Sequence, residues 1–228
     1  MQQQLHRRRF LGLSTTLVLT APMLTLGEDK EKLDPDEGVT APEDLMKEHG
    51  VLNRCLLIYE EAMRRLRNRE EISPEVFNHT AQLIRTFVEE YHEKNEENYI
   101  FPVFEHAGKL TSLVETLKSQ HLAGRAVTAK ILELSQANTF RSTHKPLLAE
   151  CASFIRMYRP HEAREDTVLF PALRTILKPK QVEELGERME EAEHKVLGDE
   201  GFEKSVAQVE RIEKQLGIYE LSQFTPRA

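Results

Sequence analysis

Two stretches of this chain share one layout. His92-Glu93-Lys94-Asn95-Glu96-Glu97-Asn98-Tyr99-Ile100-Phe101-Pro102 and His161-Glu162-Ala163-Arg164-Glu165-Asp166-Thr167-Val168-Leu169-Phe170-Pro171 both run His-x-x-x-Glu-acidic, with Phe-Pro nine and ten residues after the histidine. On an α-helix, residues four apart are separated by about 400°, so each stretch presents an imidazole and a carboxylate one turn apart on a single face. Such a pair is a two-toothed ligand for a cation. Two of them, on helices that could face each other, suggest a pair of metal ions or one well-enclosed ion, and with it a fold in which long helices lie side by side.

The apolar pattern around them supplies such helices. From about Pro42 to Arg69, Leu45, His49, Leu52, Leu56, Tyr59 and Met63 form one stripe at helical spacing. Ser73-Pro74-Glu75 offers a capping side chain, a first-turn proline and an early acid, so a second helix is expected from there to about Gly108. Its inward face would hold Ile84, Val88, His92, Glu96, Tyr99 and Val103. A third, about Leu110 to Ala137, aligns Leu113, Leu117, His121, Thr128 and Ile131. The fourth, about Ser142 to Leu177, aligns Leu147, Cys151, Phe154, Tyr158, His161, Glu165 and Leu169, with a kink expected at Pro160. Short connections between four long amphipathic helices predict an all-α, up-down-up-down four-helix bundle. Two shorter helices, about 180 to 197 and 201 to 216, are expected to cap it, and residues 218–228 to form a loose tail.

Residues 1–27 stand apart from this fold. Arg7-Arg8-Arg9-Phe10-Leu11-Gly12, followed by a mild apolar run to Leu26, resembles a bacterial twin-arginine export signal, with an ordinary secretory signal or a retained membrane anchor as the alternatives. The resemblance implies a periplasmic or exported protein, possessing no stable membrane insertion unless the signal stays uncleaved. That route carries proteins already folded, often with a cofactor in place. Residues 28–41 are acidic and contain Pro35 and Gly38, as a solvated linker would, leaving 42–217 for the bundle and its cap. The formal charge of −7 becomes −7 − 3 = −10 once Arg7, Arg8 and Arg9 are removed, which argues against nucleic acid as a partner. The basic run Arg64-Arg65-Leu66-Arg67 sits among glutamates and reads as a solvated helix face.

Each of the four long helices carries one histidine on its inward stripe: His49, His92, His121 and His161. A lone inward histidine is ordinarily a hydrogen-bonded core residue; four on four helices, two followed by a glutamate one turn on, point to a metal site. Imidazole and carboxylate suit divalent iron, manganese or zinc, and a carboxylate can bridge two cations. Buried Glu96 and Glu165 would cost on the order of several kcal/mol per charge without a cation or a proton to offset them. His6, His79, His106, His144 and His194 fall in the signal, near helix ends or in the cap, and are expected to lie outside the site.

His49, His92-x3-Glu96 with Phe101-Pro102, His121, and His161-x3-Glu165 with Phe170-Pro171 resemble the hemerythrin-like, HHE cation-binding family, over roughly residues 43–217. The resemblance implies a non-haem centre of two iron ions, bridged by Glu96 and Glu165 and held by the four histidines. It implies a small partner, oxygen, nitric oxide or peroxide, with the redox partner unknown. The oxygen-carrying hemerythrins have a further histidine four residues after the third-helix one, where this chain has Arg125, so simple oxygen carriage is in doubt. They also place their last carboxylate five residues after the histidine, which would select Asp166. Five residues turn about 500°, so Asp166 points some 140° away from His161, and Glu165 is the expected ligand.

Around this set lie further candidate residues. Asn53 and Arg125, one turn after their histidines, belong to a polar layer beside the ligands. Arg125 either pairs with a bridging carboxylate, steadies an anionic ligand, or points outward. Gly124 gives a small ligand room or lets two helices approach closely. Tyr99 and Tyr158 either donate hydrogen bonds toward the ligands or are core aromatics. Cys55 and Cys151, about 6 Å apart in height across antiparallel helices, are expected to be buried free thiols. No phosphate-binding glycine loop, Cys-x-x-Cys pair or nucleophile elbow is present. The residues thus leave three functions open: a binding protein for a small ligand, an enzyme consuming peroxide or nitric oxide, or an iron-handling protein.

Overall fold

Six helices and a closing 3-10 turn account for most of the described chain in the computed structural model, which describes residues 40–226. The expected export signal and all but the last two residues of the expected linker lie outside that range. The helices are α1 (Ala41–Arg67), α2 (residues 74–107), α3 (Thr111–Leu134), α4 (residues 140–173), α5 (Pro179–Leu197) and α6 (Gly201–Leu216). No strand occurs among the described residues. Among the described residues no helix is long and apolar enough to cross a membrane.

The ends of α2 follow from its sequence. The Ser73 side chain accepts the Glu75 N–H at 3.2 Å, and Pro74 opens the first turn, where its missing N–H costs nothing. Gly108 closes the helix in the left-handed region at φ 62°, a conformation that glycine adopts without the Cβ clash.

Neither α2 nor α4 is α-helical throughout. In α2, π-helical segments occupy Ile84–His92 and Glu96–Ile100; in α4, one occupies Glu165–Leu169. Two of these segments begin at Glu96 and Glu165 and end immediately before the two Phe-Pro pairs. Proline cannot donate to the carbonyl four residues back and its ring crowds that carbonyl, so a widened turn just upstream accommodates it. The widening also rotates everything downstream. Tyr99 and Val103, expected inward, are only half-buried, whereas Ile100, Phe101 and Phe104 enter the core. In α4 Leu169 is buried as expected, and the same shift turns Phe170 and Leu173 inward. Pro160, where a kink was expected, lies inside the regular α-helical part, Phe140–Arg164, and the change in pairing comes after it.

Two apolar clusters form the interior. The larger runs from Val51 to Leu66 in α1, Val76 to Tyr91 in α2, Ile131 in α3 and Phe140 to Tyr158 in α4; the smaller holds Ala41 and Leu45, Ile100 to Phe104, Val114 and Leu117, and Leu169 to Leu173. Thus α1 and α3 pass from the smaller cluster to the larger, and α2 and α4 pass back. Each of these four helices crosses between the clusters at its inward histidine. The cap seals both: Leu185 and Met189 of α5 join the smaller cluster, and Val209, Ile212 and Leu216 of α6 join the larger. Arg54 of α1 ties down α6 through its Nε and Nη2, which donate to the Glu213 carboxylate at 3.0 and 2.5 Å. Past α6, Ile218 still packs on the larger cluster, and Leu221–Phe224 form an exposed 3-10 turn, so the segment expected to be a loose tail has a fixed start. Arg64 and Arg65 pair with Glu61, and Arg64 also with Glu70, on the outer face of α1.

Gly124 lets α3 and α4 touch. A Cβ there would stand 2.1 Å from the Tyr158 hydroxyl oxygen and 2.8 Å from the ring carbon bearing it. Of the two readings of this glycine, close packing is the one the structure supports. Gly124→Ala is therefore expected to destabilise the protein by about 1–3 kcal/mol, despite the ~1 kcal/mol that alanine gains in helix propensity. In a Tyr158→Ala background the same change should be neutral or stabilising. Chemical denaturation of the four proteins of this cycle measures both effects.

Candidate metal centre

The six residues singled out by spacing meet in the layer between the two clusters, and all six are buried, with Glu96, His121 and Glu165 at 0% exposure. His49 comes from α1, His92 and Glu96 from α2, His121 from α3, and His161 and Glu165 from α4. Four Nε2 atoms face two carboxylates. His92 and His121 lie 3.6 and 3.4 Å from Glu96 Oε2; His49 and His161 lie 3.4 and 3.2 Å from Glu165 Oε2. The His121 and His161 Nε2 atoms are 3.3 Å apart. Donor atoms of Glu96, His121, His161 and Glu165 fall within 4.8 Å of one another, as do those of His49, His92 and Glu96. Among the described residues, both oxygens of Glu96, both of Glu165 and the Nε2 of His49 have no hydrogen-bond partner. Buried acceptors of this kind are costly unless a cation or proton meets them, and the donor set is the nitrogen and oxygen mixture that divalent iron, manganese or zinc takes.

The opposite nitrogen of each ring is anchored. His49 Nδ1 lies 2.8 Å from Asp166, His92 Nδ1 2.8 Å from Glu48, His121 Nδ1 3.1 Å from Glu97, and His161 Nδ1 2.8 Å from the Gln120 side-chain oxygen. Each partner is an acceptor, so each ring can keep a proton on Nδ1 when its Nε2 gives up a proton to a cation, and Nδ1–H is the tautomer a metal ligand needs. Phe170 stacks on His49 and Phe101 on His121, at centroid separations of 5.6 and 5.4 Å. The Phe-Pro repeat thus has two effects: the proline goes with a π turn over the glutamate, and the phenylalanine walls the site with apolar surface.

A second polar layer backs the first. Arg125 spans Glu93 and Glu97 at 2.7 and 2.6 Å, and the Tyr158 hydroxyl donates to Glu93 at 2.5 Å. Arg125 therefore steadies the carboxylate that holds His121, and does not pair with Glu96. Asn53 donates to the His49 carbonyl at 3.1 Å and to Glu162. Glu162 Oε1 has no hydrogen-bond partner among the described residues, and burial pushes this carboxyl up to about 7. Asp166 lies away from His161, and it reaches His49 across the helix interface. Tyr99 is the departure from expectation: the π turn carries it off the inner face, and it lines a cleft of about 350 Å³ with Lys94, Arg188 and Lys195.

The Hemerythrin HHE cation binding domain model matches residues 40–173, a span containing all six inward donors. The chain belongs to the hemerythrin HHE cation-binding family. Membership implies a bound metal cation, typically iron. The chain is also 47% identical over 204 residues to "Uncharacterized protein Rv1995" of Mycobacterium tuberculosis strain H37Rv and to "Uncharacterized protein Mb2018" of Mycobacterium bovis, covering 88% of this chain and 80% of each relative. No solved structure matches it significantly.

Spacing alone missed Glu48, Glu97 and Gln120 in this HHE domain, along with Glu93 and Glu162. All five are direct sequence neighbours of an expected ligand, which is a usable signal only when the facing helix is known. His79, His106 and His194 are exposed and His144 sits against Phe140, all outside the cluster. Cys55 and Cys151 are free and buried, and burial pushes both thiols well up.

The metal-free charge balance has a pH signature. Burial disfavours the imidazolium form, but Asp166 and Glu165 outweigh it and raise His49; Glu96 and Glu48 do the same for His92; Glu96 and Glu97 push His121 up to about 10. Burial likewise opposes ionisation of Glu165, yet His161 and His49 hold its carboxyl well below the usual range. The histidine contribution to stability is complete below the ordinary value of 6.5 and is lost as pH rises through the raised values. The Glu165 contribution is present above the ordinary 4.5 and is lost as pH falls through the depressed one. Chelator-treated protein should therefore show an unfolding temperature that drops between pH 6.5 and about 10, and metal loading should flatten that drop because cations replace the protons. Thermal scans of both forms across this range check it; a metal-free profile that is flat or rising contradicts it.

Proposed function

We propose that this protein is a non-haem di-iron protein that binds oxygen, nitric oxide or a related small ligand at a four-His, two-Glu site in an up-down-up-down bundle. The carrying observation is that four Nε2 atoms and two buried carboxylates converge while all four opposite nitrogens are anchored to acceptors. The alternating passage of α1 to α4 between the two apolar clusters supports the bundle order. His49 and His92 would hold one iron, His121 and His161 the other, and Glu96 and Glu165 would bridge them. Two iron ions would supply redox capacity and open coordination positions for the ligand. Manganese or zinc would satisfy the same donors.

The chain's own side chains set the conditions for that chemistry. Nδ1 anchoring fixes ring orientation, Phe101 and Phe170 exclude water from two of the rings, and Glu162 can gain or lose a proton near neutrality. A second reading, consumption of peroxide or nitric oxide, rests on Arg125. It stands where oxygen carriers of the family have a further histidine, and its engagement with Glu93 and Glu97 leaves one donor fewer to fill the coordination shell. The twin-arginine-like signal supports a bacterial periplasmic or exported location, signal-anchored if uncleaved, and the acidic body supports a small-molecule partner.

Anaerobic loading with ferrous iron is expected to give about two ions per chain, with Glu96→Ala or Glu165→Ala reducing that number. The visible spectrum is then followed on adding oxygen, nitric oxide and peroxide. Reversible colour supports the binding reading, and net consumption of added ligand supports the enzymatic one. A loaded protein silent to all three contradicts both.

A further inference from the structure

The anchors of the four imidazoles are related by an internal two-fold pattern. In the α1–α2 half, His92 is anchored by the residue preceding His49, and in the α3–α4 half His161 is anchored by the residue preceding His121: Glu48 and Gln120. Crosswise, His49 is anchored by the residue after Glu165 and His121 by the residue after Glu96: Asp166 and Glu97. The next layer follows the same rule, Asn53 meeting Glu162 and Arg125 meeting Glu93. The phenylalanine walls obey it too.

The geometry repeats, but the charges do not. The His49 and His92 pair is backed by two carboxylates, of which Glu48 is 1% exposed and further held by the Tyr91 hydroxyl at 2.7 Å. The His121 and His161 pair is backed by a neutral amide, Gln120, and by Glu97, whose charge is shared with Lys94 and Arg125. A carboxylate that accepts the second ring proton makes the imidazole a stronger donor to a metal, and losing such a partner typically costs about 10- to 100-fold in metal affinity. A nearby guanidinium disfavours an added cation further.

Resting on the di-iron reading above, we infer that the two metal positions are inequivalent: the position at His49 and His92 binds its cation more tightly than the position at His121 and His161, and the Glu48/Gln120 difference sets that order. Glu48 and Gln120 are positioning residues that act through His92 and His161. The first ion resides at the α1–α2 half, and the exchangeable one at the α3–α4 half.

The test loads metal-free protein anaerobically with one equivalent of manganous ion and locates it by anomalous scattering in crystals, with stepwise dissociation constants from chelator competition. Wild type should show the ion beside His49 and His92 and two constants separated by up to about 10-fold, the lower end of the loss for removing an acceptor altogether, because Gln120 still accepts the His161 ring proton. Gln120→Glu, at a half-exposed position, should narrow that gap, and the exchange Glu48→Gln with Gln120→Glu should move the first ion beside His121 and His161. Equal occupancy in wild type, or an order that the exchange leaves unaltered, overturns the inference while leaving the two-metal reading intact. If the exchanged protein does not fold, Gln120→Glu alone decides, and an unchanged gap overturns the inference. Failure to find two positions even with excess metal overturns the di-iron reading and the inference together.

Discussion

Two carboxylates at 0% exposure, Glu96 and Glu165, set the terms for the rest of the molecule. Each sits between apolar clusters and would cost several kcal/mol, on the order of what a small domain can lose, if its charge met nothing. The chain meets that charge with imidazoles from all four long helices and then fixes each imidazole from behind. Remove the carboxylates and the layer loses its reason to be polar. The helix pairing around them, the π turns that start at each glutamate and the anchors on each Nδ1 all serve their burial. The same arrangement that makes the metal-free layer depend on protons makes it receptive to cations.

The helices were legible because their periodicity is dense: nearly every position of the α1 and α4 stripes, from Leu45 to Met63 and from Leu147 to Leu169, is buried. The π turns were not. An apolar pattern records which side chains face inward, whereas a change in backbone hydrogen-bond register leaves only a one-residue shift, here at Tyr99 and Val103. The repeated Phe-Pro pair carried the hint, since a proline so soon after an inward glutamate asks the preceding turn to widen. Ligand spacing was readable because residues four apart share a face of their own helix. Glu48, Glu97 and Gln120 were not readable because each serves a histidine on another helix, and that relation exists only once the helices are packed. Asp166 illustrates both sides: its angle excluded it from His161, and only the position of α1 explains what it does instead.

The internal repeat that first constrained the fold continues well beyond the two eleven-residue stretches. It extends to the residues preceding His49 and His121, to the second polar layer and to the aromatic walls. Where the two halves differ, they differ in charge: glutamate against glutamine, asparagine against arginine. The ligand layout is alike in both halves, although only α2 carries a further π-helical segment, Ile84–His92, so the difference in charge between the halves lies in these few side chains. Arg125 joins this pattern, because its position one turn beyond His121 makes it a brace for Glu93 and Glu97 and also removes the one residue that would have supplied a fifth imidazole.

X-ray absorption at the iron edge of anaerobically loaded protein tests the central claim most directly. The account predicts about two imidazoles and bridging oxygens around each absorber, with a second iron within about 4 Å, the separation common to two-metal sites. An isolated iron with no metal neighbour, or a coordination sphere without imidazole, would contradict it.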